Sequence, residues 1–528
     1  MENLRTLWEK TAGSYKQLTA IRYLHKKEIK EVTYDNLDKM IRLIRGGLYS
    51  TGISASHVAI IGETSVQWIA SYLAIVTGDN VAVPLDALLP AEDLIDLLNR
   101  SHAKVLFLSP KLISLADQAL DQCPNLKQIW LLNDSYEQFI QNARIGTLPE
   151  LMNLGNNKID VIASSPSSLA TIIFTSGTTG KSKGVMLTQK NLYDNVANVQ
   201  YEVAPGCVMM SVLPIHHAYC LVMDWLKGFS LGSIVCINDS FMHMVKNMSI
   251  FKPEVILMVP LMIESIYKRL SANADWPVDA IKEKIFGGNL RIIFTGGAHL
   301  DPFYIEEFAK YGVDILEGYG MSECSPVITT NTPDNHKPGS IGKPLDNVEI
   351  KIENDEILVR GTSVMKGYFE MPAETDAAFT DGWLHTGDKG YIDEDGYLFI
   401  NGRVKNLIIM SNGENISPEE IENKIALNPL VAEVIISGNN TGLTAHIYPD
   451  MDYAKARNIS PSDINKVLQD FIDEYNKAQP SYRHITSIVV RTEPFIRSTT
   501  GKRLSPDYKA CNMPVAWLGF VIFINKTL

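Results

Sequence analysis

Cysteine is scarce in this sequence and poorly placed for a framework. Six residues, Cys123, Cys207, Cys220, Cys236, Cys324 and Cys511, are scattered over 528 positions with no CxxC pair. That spacing argues against a disulfide scaffold and a zinc ribbon, and fits a reducing compartment. No apolar run reaches the roughly 18–20 residues of a membrane span. The nearest approach, Val515 to Ile524 in PVAWLGFVIFIN, is too short. The opening MENLRTLWEKTAGSYKQ has no secretion-signal core. A cytoplasmic protein is the expectation, with peripheral membrane contact through the apolar tail left open. The net charge is −12 and no basic run stands out, so a nucleic-acid partner is not expected.

What is present is ordinary globular composition, 45% apolar and 20% charged, in a chain long enough for more than one domain. Short apolar runs such as HVAIIGE, AKVLFLSP, EVILMVP and LRIIFTGG alternate with amphipathic stretches such as AEDLIDLLNR and LMIESIYKRL. This alternation predicts βαβ units, an α/β fold of mostly parallel sheets with helices on both faces. From about residue 332 to 401, Gly/Pro turns separate short alternating strands, which predicts a small β-rich subunit. The boundary of a separate small α+β domain is expected within Gly402–Asn406. The expected division is therefore 1–401, 402–510, and an atypical tail, 511–528. Ser417, Pro418 and Glu420 read as a helix start with a capping box.

Five stretches carry candidate chemistry. In TIIFTSGTTGKSKG, Gly177, Gly180 and Gly184 allow backbone N–H groups to point at phosphate oxygens. Thr175, Ser176, Thr178 and Thr179 add hydroxyls, and Lys181 and Lys183 add charge. The P-loop of ATPases fails on spacing, because Thr175 stands where GxxxxGK[ST] needs its first glycine. In ILEGYGMSECSPV the glycines beside Tyr319 leave its ring face open for a flat heterocycle, and Glu323 is a hard oxygen ligand suited to Mg²⁺. A serine-hydrolase elbow is absent there, since Cys324 replaces the last glycine of GxSxG. In GWLHTGDKG, Asp388 follows Thr386-Gly387 in what reads as a tight turn, with Arg403 downstream. EPFIRSTTGKRL presents Lys502 on a hydroxyl-rich loop, and LPIHHAYC places His216 and His217 after an apolar run without a second pair of metal ligands.

Together and in this order, these stretches resemble the adenylate-forming (AMP-binding) superfamily, and most of all its long-chain fatty acyl-CoA synthetases. Thr175–Gly184 looks like [ST]SGTTGxPKG, Tyr319–Glu323 like YGxTE, Trp383–Asp388 like WxxTGD, Gly402–Lys405 like the GRxK/D hinge, and Gly501-Lys502 like the C-terminal GK loop. LRIIFTGGAHL resembles the LRxxxSGGAPL element of the acyl pocket. Ser182 and His299 depart from the usual prolines. The resemblance implies a large N-terminal domain of two α/β sheets plus a small β-barrel, with a mobile C-terminal lid. It implies ATP, Mg²⁺ and coenzyme A, and activation of a carboxylic acid to an acyl-adenylate and then a thioester.

By the same resemblance Lys502, Glu323 and His217 are catalytic, and Glu323 and Thr178 hold the metal. Nucleotide and acceptor binding falls to Thr175, Ser176, Gly177, Thr178, Thr179, Gly180, Lys183, Gly297, Ala298, Gly318, Tyr319, Gly320, Met321, Ser322, Asp388, Arg403, Lys405 and Gly413. Amino-acid-activating members carry an aspartate where this chain has LPIHHAY, so a medium- or long-chain fatty acid is the expected substrate. An aryl acid, an acyl carrier protein as acceptor, and a nucleotide-binding protein without catalysis stay open.

Overall fold

The computed structural model describes residues 2–132, 142–155, 164–175, 182–404, 408–409, 415–439 and 442–495. The chain divides into two compact units, Met1–Asn401 and Gly402–Leu528.

Among the described residues the first unit holds two large sheets. One has eight strands, in the order Gly367–Tyr368, Lys183–Thr188, Leu169–Thr175, Val81–Leu85, His57–Ile61, Val105–Leu108, Gln128–Leu131 and Ile145–Thr147. It is parallel except where Lys183–Thr188 pairs antiparallel with both neighbours. The other has nine strands, whose parallel centre runs Asp314–Gly320, Ile292–Thr295, Val255–Met258, Val208–Ser211, Ile234–Ile237 and Thr19–His25. Antiparallel strands close it at both ends.

The alternation of side chains along each strand explains why the sheets stack. Val58 and Ile60 point into one core while Ala59 and Ile61 point into another. Val255 and Leu257 share the first of these cores, whereas Ile256 and Met258 face a third. The two sheets therefore share one apolar core, and each has a second layer on its far face. Strands buried on both faces must be apolar at every position, as Val105–Leu108 (VLFL) is.

Two helices in the shared core are buried almost all round. Val66–Val76 buries every residue except Gln67, is N-capped by Ser65, and bonds to the first sheet through Tyr72 and Thr171, 2.9 Å apart. Cys220–Lys227 is wound as a π-helix and buries all eight residues. Such wide turns concentrate at functional sites.

A smaller antiparallel sheet of the same unit contains Val348–Glu353, Glu356–Gly361, Trp383–Ile392 and Phe379–Thr380. Leu398–Arg403 pairs with Trp383–Ile392 and carries the chain into the second unit. That unit packs Pro418–Ile425 and Ile464–Lys477 on a sheet of Val431–Asn439, Gly442–Pro449 and Ile485–Val490. The capping box expected at Ser417 does not form. Its hydroxyl donates to the Glu419 carboxylate, and Glu420 instead pairs with Arg483.

Asn195, fully buried on the helix Gln189–Asn198, holds the segment after Glu323 in place. Its amide donates to the carbonyls of Cys324 (3.2 Å) and Val327 (2.8 Å) and accepts from the Val327 N–H (3.3 Å). Removing it strands buried backbone groups, so Asn195→Ala is expected to lower stability by about 3 kcal/mol. Urea unfolding followed by fluorescence checks this through the transition midpoint.

Candidate active site

The strands of the second sheet end together, and their C-terminal ends carry Thr295–Gly297 and Tyr319–Gly320. A cavity of about 200 Å³ opens there. Its walls are apolar (Val199, Met223, Leu257, Phe294, Leu316, Val327), and no Lys, Arg, Asp or Glu is among the described lining residues. The expected residues His217, Gly297, Gly318, Tyr319, Gly320, Met321 and Ser322 all line it. Ala298 is not in the wall; with Gly297 and His299 it forms an exposed rim.

Close backbone packing shapes this cradle. A Cβ on Gly320 would stand 2.1 Å from the Pro326 carbonyl oxygen, and one on Gly296 would reach 3.0 Å from that of Gly318. Glycine is therefore required at Gly320 for the strand to turn along Ser322–Cys324.

Tyr319 donates its hydroxyl to Asp388 Oδ2 at 2.6 Å. Burial first, and then Asp388, pushes the phenol far above its ordinary range, so it stays a donor. Asp388 itself is buried, and it does not lie in a tight turn as its TGD setting suggested. It belongs to the long strand Trp383–Ile392, at a bulge. There the register slips against Glu356–Gly361, and Gly387 takes φ +73°. Bulges re-aim side chains in this manner beside functional sites.

A second group lies at the edge of the eight-stranded sheet. The Tyr368 hydroxyl donates to Glu323 Oε1 at 2.9 Å, and Lys183 Nζ sits 4.5 Å from the Tyr368 ring centroid. The strand pairing that places Tyr368 opposite Val185 brings these three together. A carboxylate such as Glu323 is a hard oxygen donor of the type that Mg²⁺ takes. Thr175 ends its strand with its hydroxyl 3.5 Å from the Lys183 carbonyl, and Arg100 bonds the Ser182 carbonyl at 2.5 Å. Ser176, Gly177, Thr178, Thr179 and Gly180 lie outside the described residues, as do Lys405, Gly413 and Lys502. Arg403 ends the strand Leu398–Arg403 and is exposed.

His217 meets the cavity from the other side. Its ring centroid is 4.2 Å from that of His216, whose Nε2 lies 3.7 Å from Asp86 Oδ2 and has no hydrogen-bond partner among the described residues. Burial pushes both imidazoles down, His216 well down, while Asp86 opposes the shift at His217. Both rings are thus neutral at neutral pH, and His217 can accept a proton with a carboxylate nearby. Cys220 lies in the buried helix against Ser211 and Asp224, and no group of three metal-ligating side chains occurs among the described residues.

Tyr368, Arg100 and Asp86 were not anticipated. Each reaches the site across the fold, and no local pattern marks them.

Comparison with known proteins gives a consistent result. A family model described as AMP-binding enzyme matches residues 8–369, and one described as AMP-binding enzyme C-terminal domain matches 405–503. The long-chain-fatty-acid–CoA ligase FadD15 of Mycobacterium bovis is 28% identical over 456 residues, 78% of this chain and 75% of that protein. The oxalate–CoA ligase of Arabidopsis thaliana is 27% identical over 500 residues, 89% of this chain and 91% of that protein. The ATP-bound structure of MatB from Rhodopseudomonas palustris superposes with TM-score 0.78 at 25% identity, covering 95% of this chain and 97% of that one.

Glu317, beneath the cavity floor, gives the site a pH signature. It is buried, its Oε2 has no partner among the described residues, and it pairs in register with Thr295, whose hydroxyl is likewise unpartnered. Burial raises its carboxyl from 4.5 to about 8, with Asp301 adding to the shift and the Leu300 and Gly339 N–H groups opposing it. The folded chain therefore binds the extra proton that the unfolded chain has released, and stability falls as pH rises from about 4.5 to about 8. Glu317→Gln is expected to flatten that decline. Thermal melts of both proteins at intervals from pH 5 to 8.5 check it, and parallel curves would contradict the buried neutral acid.

Proposed function

This chain belongs to the AMP-binding enzyme family and is similar to long-chain-fatty-acid–CoA ligases among other acid–CoA ligases, and we propose that it activates an apolar carboxylic acid with ATP and transfers the acyl group to coenzyme A. The cavity carries the choice of acid. A dicarboxylate such as oxalate would need a cation for its second carboxylate, and an α-amino acid would need an anion for its ammonium. The described wall offers neither. A medium- or long-chain fatty acid fits this lining. The aryl-acid alternative differs only in the shape of the apolar part.

In the first half-reaction the carboxylate oxygen attacks the α-phosphorus of ATP and pyrophosphate leaves. Tyr319 presents its ring to the adenine, Asp388 holds the ribose hydroxyls, and Lys183 with the Thr175–Gly180 loop holds the departing phosphates. A magnesium ion at Glu323 would supply charge neutralisation for those phosphates. Lys502 stabilises the charge developing at the α-phosphate. In the second half-reaction the thiol sulfur attacks the acyl carbon and the bond to AMP breaks. The thiol proton passes to neutral His217, whose imidazolium Asp86 balances. Lys405 and Gly413, which the family motifs single out, are assigned to this second half-reaction.

The deciding experiment measures pyrophosphate release from Mg-ATP across fatty, aryl, amino and dicarboxylic acids, with and without coenzyme A. Release peaking on a fatty acid with thiol consumption is expected. Release without thiol consumption would point to a carrier protein, and no release with any acid would favour a nucleotide-binding protein without catalysis. Lys502→Ala is expected to slow pyrophosphate release by about 10²–10³-fold, the range seen on removing one charge-stabilising donor, while thioester formation from supplied acyl-AMP continues. Equal loss of both steps would refute that assignment.

A further inference from the structure

Outside the residues given roles above, the bulge that carries Asp388 is braced by a second carboxylate. Glu356 opens the neighbouring strand Glu356–Gly361, and its two oxygens serve two parts of the bulge. Oε1 accepts the Gly387 N–H at 3.0 Å, and Oε2 lies 3.0 Å from His385 Nδ1. The other His385 nitrogen, Nε2, lies 2.9 Å from the Thr380 hydroxyl. Thr386 donates to the Ile357 carbonyl at 2.7 Å and receives the Asp388 N–H at 3.1 Å.

The register explains why a brace is required. Leu358 stands opposite His385, but Glu356 stands opposite Lys389. Residues 386–388 therefore face the single residue Ile357, which leaves ladder groups unpaired unless a side chain satisfies them. Glu356 accepts the Gly387 N–H, and the Thr386 hydroxyl accepts the Asp388 N–H while donating to the Ile357 carbonyl. The outcome is a fixed backbone at Gly387, at φ +73°, and a fixed direction for the Asp388 carboxylate toward Tyr319.

We propose that Glu356, acting through Gly387 and His385, is a positioning residue that holds Asp388 for a ribose diol and so sets the preference for a ribonucleotide over its 2′-deoxy counterpart. This rests on the nucleotide reading above. The brace is made of groups of the sheet itself and touches no reacting atom, so its contribution lies in nucleotide affinity rather than in the chemical step. The partners of Glu356, His385 and Gly387, lie on the bulged strand, where Lys389 stands opposite it in register, while His385 also meets Thr380 of the strand Phe379–Thr380 and feels the charge of Glu353 at the end of Val348–Glu353. None of them belongs to the acid cavity.

The test is binding and steady-state kinetics with ATP and 2′-deoxy-ATP for the full chain, Glu356→Ala and Glu356→Gln. The wild-type chain is expected to prefer ATP, through a lower KM. Glu356→Ala should raise the KM for ATP about tenfold, leave that for 2′-deoxy-ATP within about twofold, and leave the KM for the acid unchanged. Glu356→Gln keeps an oxygen for the Gly387 N–H and should restore most of the preference. A merely structural residue would weaken both nucleotides and the acid alike. An unchanged ATP to 2′-deoxy-ATP ratio in a folded Glu356→Ala chain, with the wild type active, would overturn the brace and leave the proposed activity standing. Failure of the wild-type chain to bind either nucleotide would overturn the nucleotide reading and the brace with it.

Discussion

Everything at the candidate site depends on one packing constraint, the apolar core shared by the two large sheets. Because Val58 and Ile60 from one sheet and Val255 and Leu257 from the other bury into the same layer, the sheets are locked face to face. Protein interiors pack at crystal-like density, so neither sheet can slide without opening voids. The two buried helices, Val66–Val76 and Cys220–Lys227, are the spacers in that layer. From it follows the meeting of elements far apart in the chain: His217 near Asp86, and Tyr319 on one cavity wall with Met223 of the Cys220–Lys227 helix.

A second constraint is electrostatic. Thr295 of the cavity wall, and His216, Asp224 and Glu317 next in sequence to wall residues, each bury a polar atom with no partner among the described residues: Thr295 Oγ1, His216 Nε2, Asp224 Oδ1 and Glu317 Oε2. Burial disfavours the charged form of those that titrate, pushing His216 well down, Asp224 up to about 7 and Glu317 up to about 8. The floor beneath an apolar wall thus stays close to neutral near pH 7, while the formal charge is gathered at the ends, in Glu323 with Lys183 and in Asp388. Apolar and phosphate-bearing parts of a substrate would be sorted by that arrangement alone.

Much of this was legible from residues that are local in the chain. Strand-like runs closed by turn residues marked the α/β architecture, and Tyr319 between its glycines and His217 after its apolar run stood out as candidates, which the structure sets around one cavity. The bulge at Asp388 was not legible, because a register shift belongs to two strands and leaves no trace in either alone. Glu356, Tyr368, Asp86 and Arg100 escaped for the same reason. Each is an unremarkable polar residue until pairing sets it against something distant, as Tyr368 meets Glu323 across 45 positions. The capping box at Ser417 failed in the opposite direction. The local pattern was present, and Arg483 drew Glu420 elsewhere.

The cavity rim differs in kind from its floor. Gly320 and Gly296 are wedged against neighbouring backbone, so almost any side chain there would disrupt the fold, whereas Gly297, Ala298 and His299 face solvent. Substitutions at Ala298 can therefore be taken up with little penalty in stability, whereas Gly297, at φ +82°, and Gly320 hold their places to glycine. Descendants of such a chain would diversify first in the acids they accept, keeping the nucleotide chemistry as common inheritance, and a laboratory seeking new specificities would do well to randomise the rim.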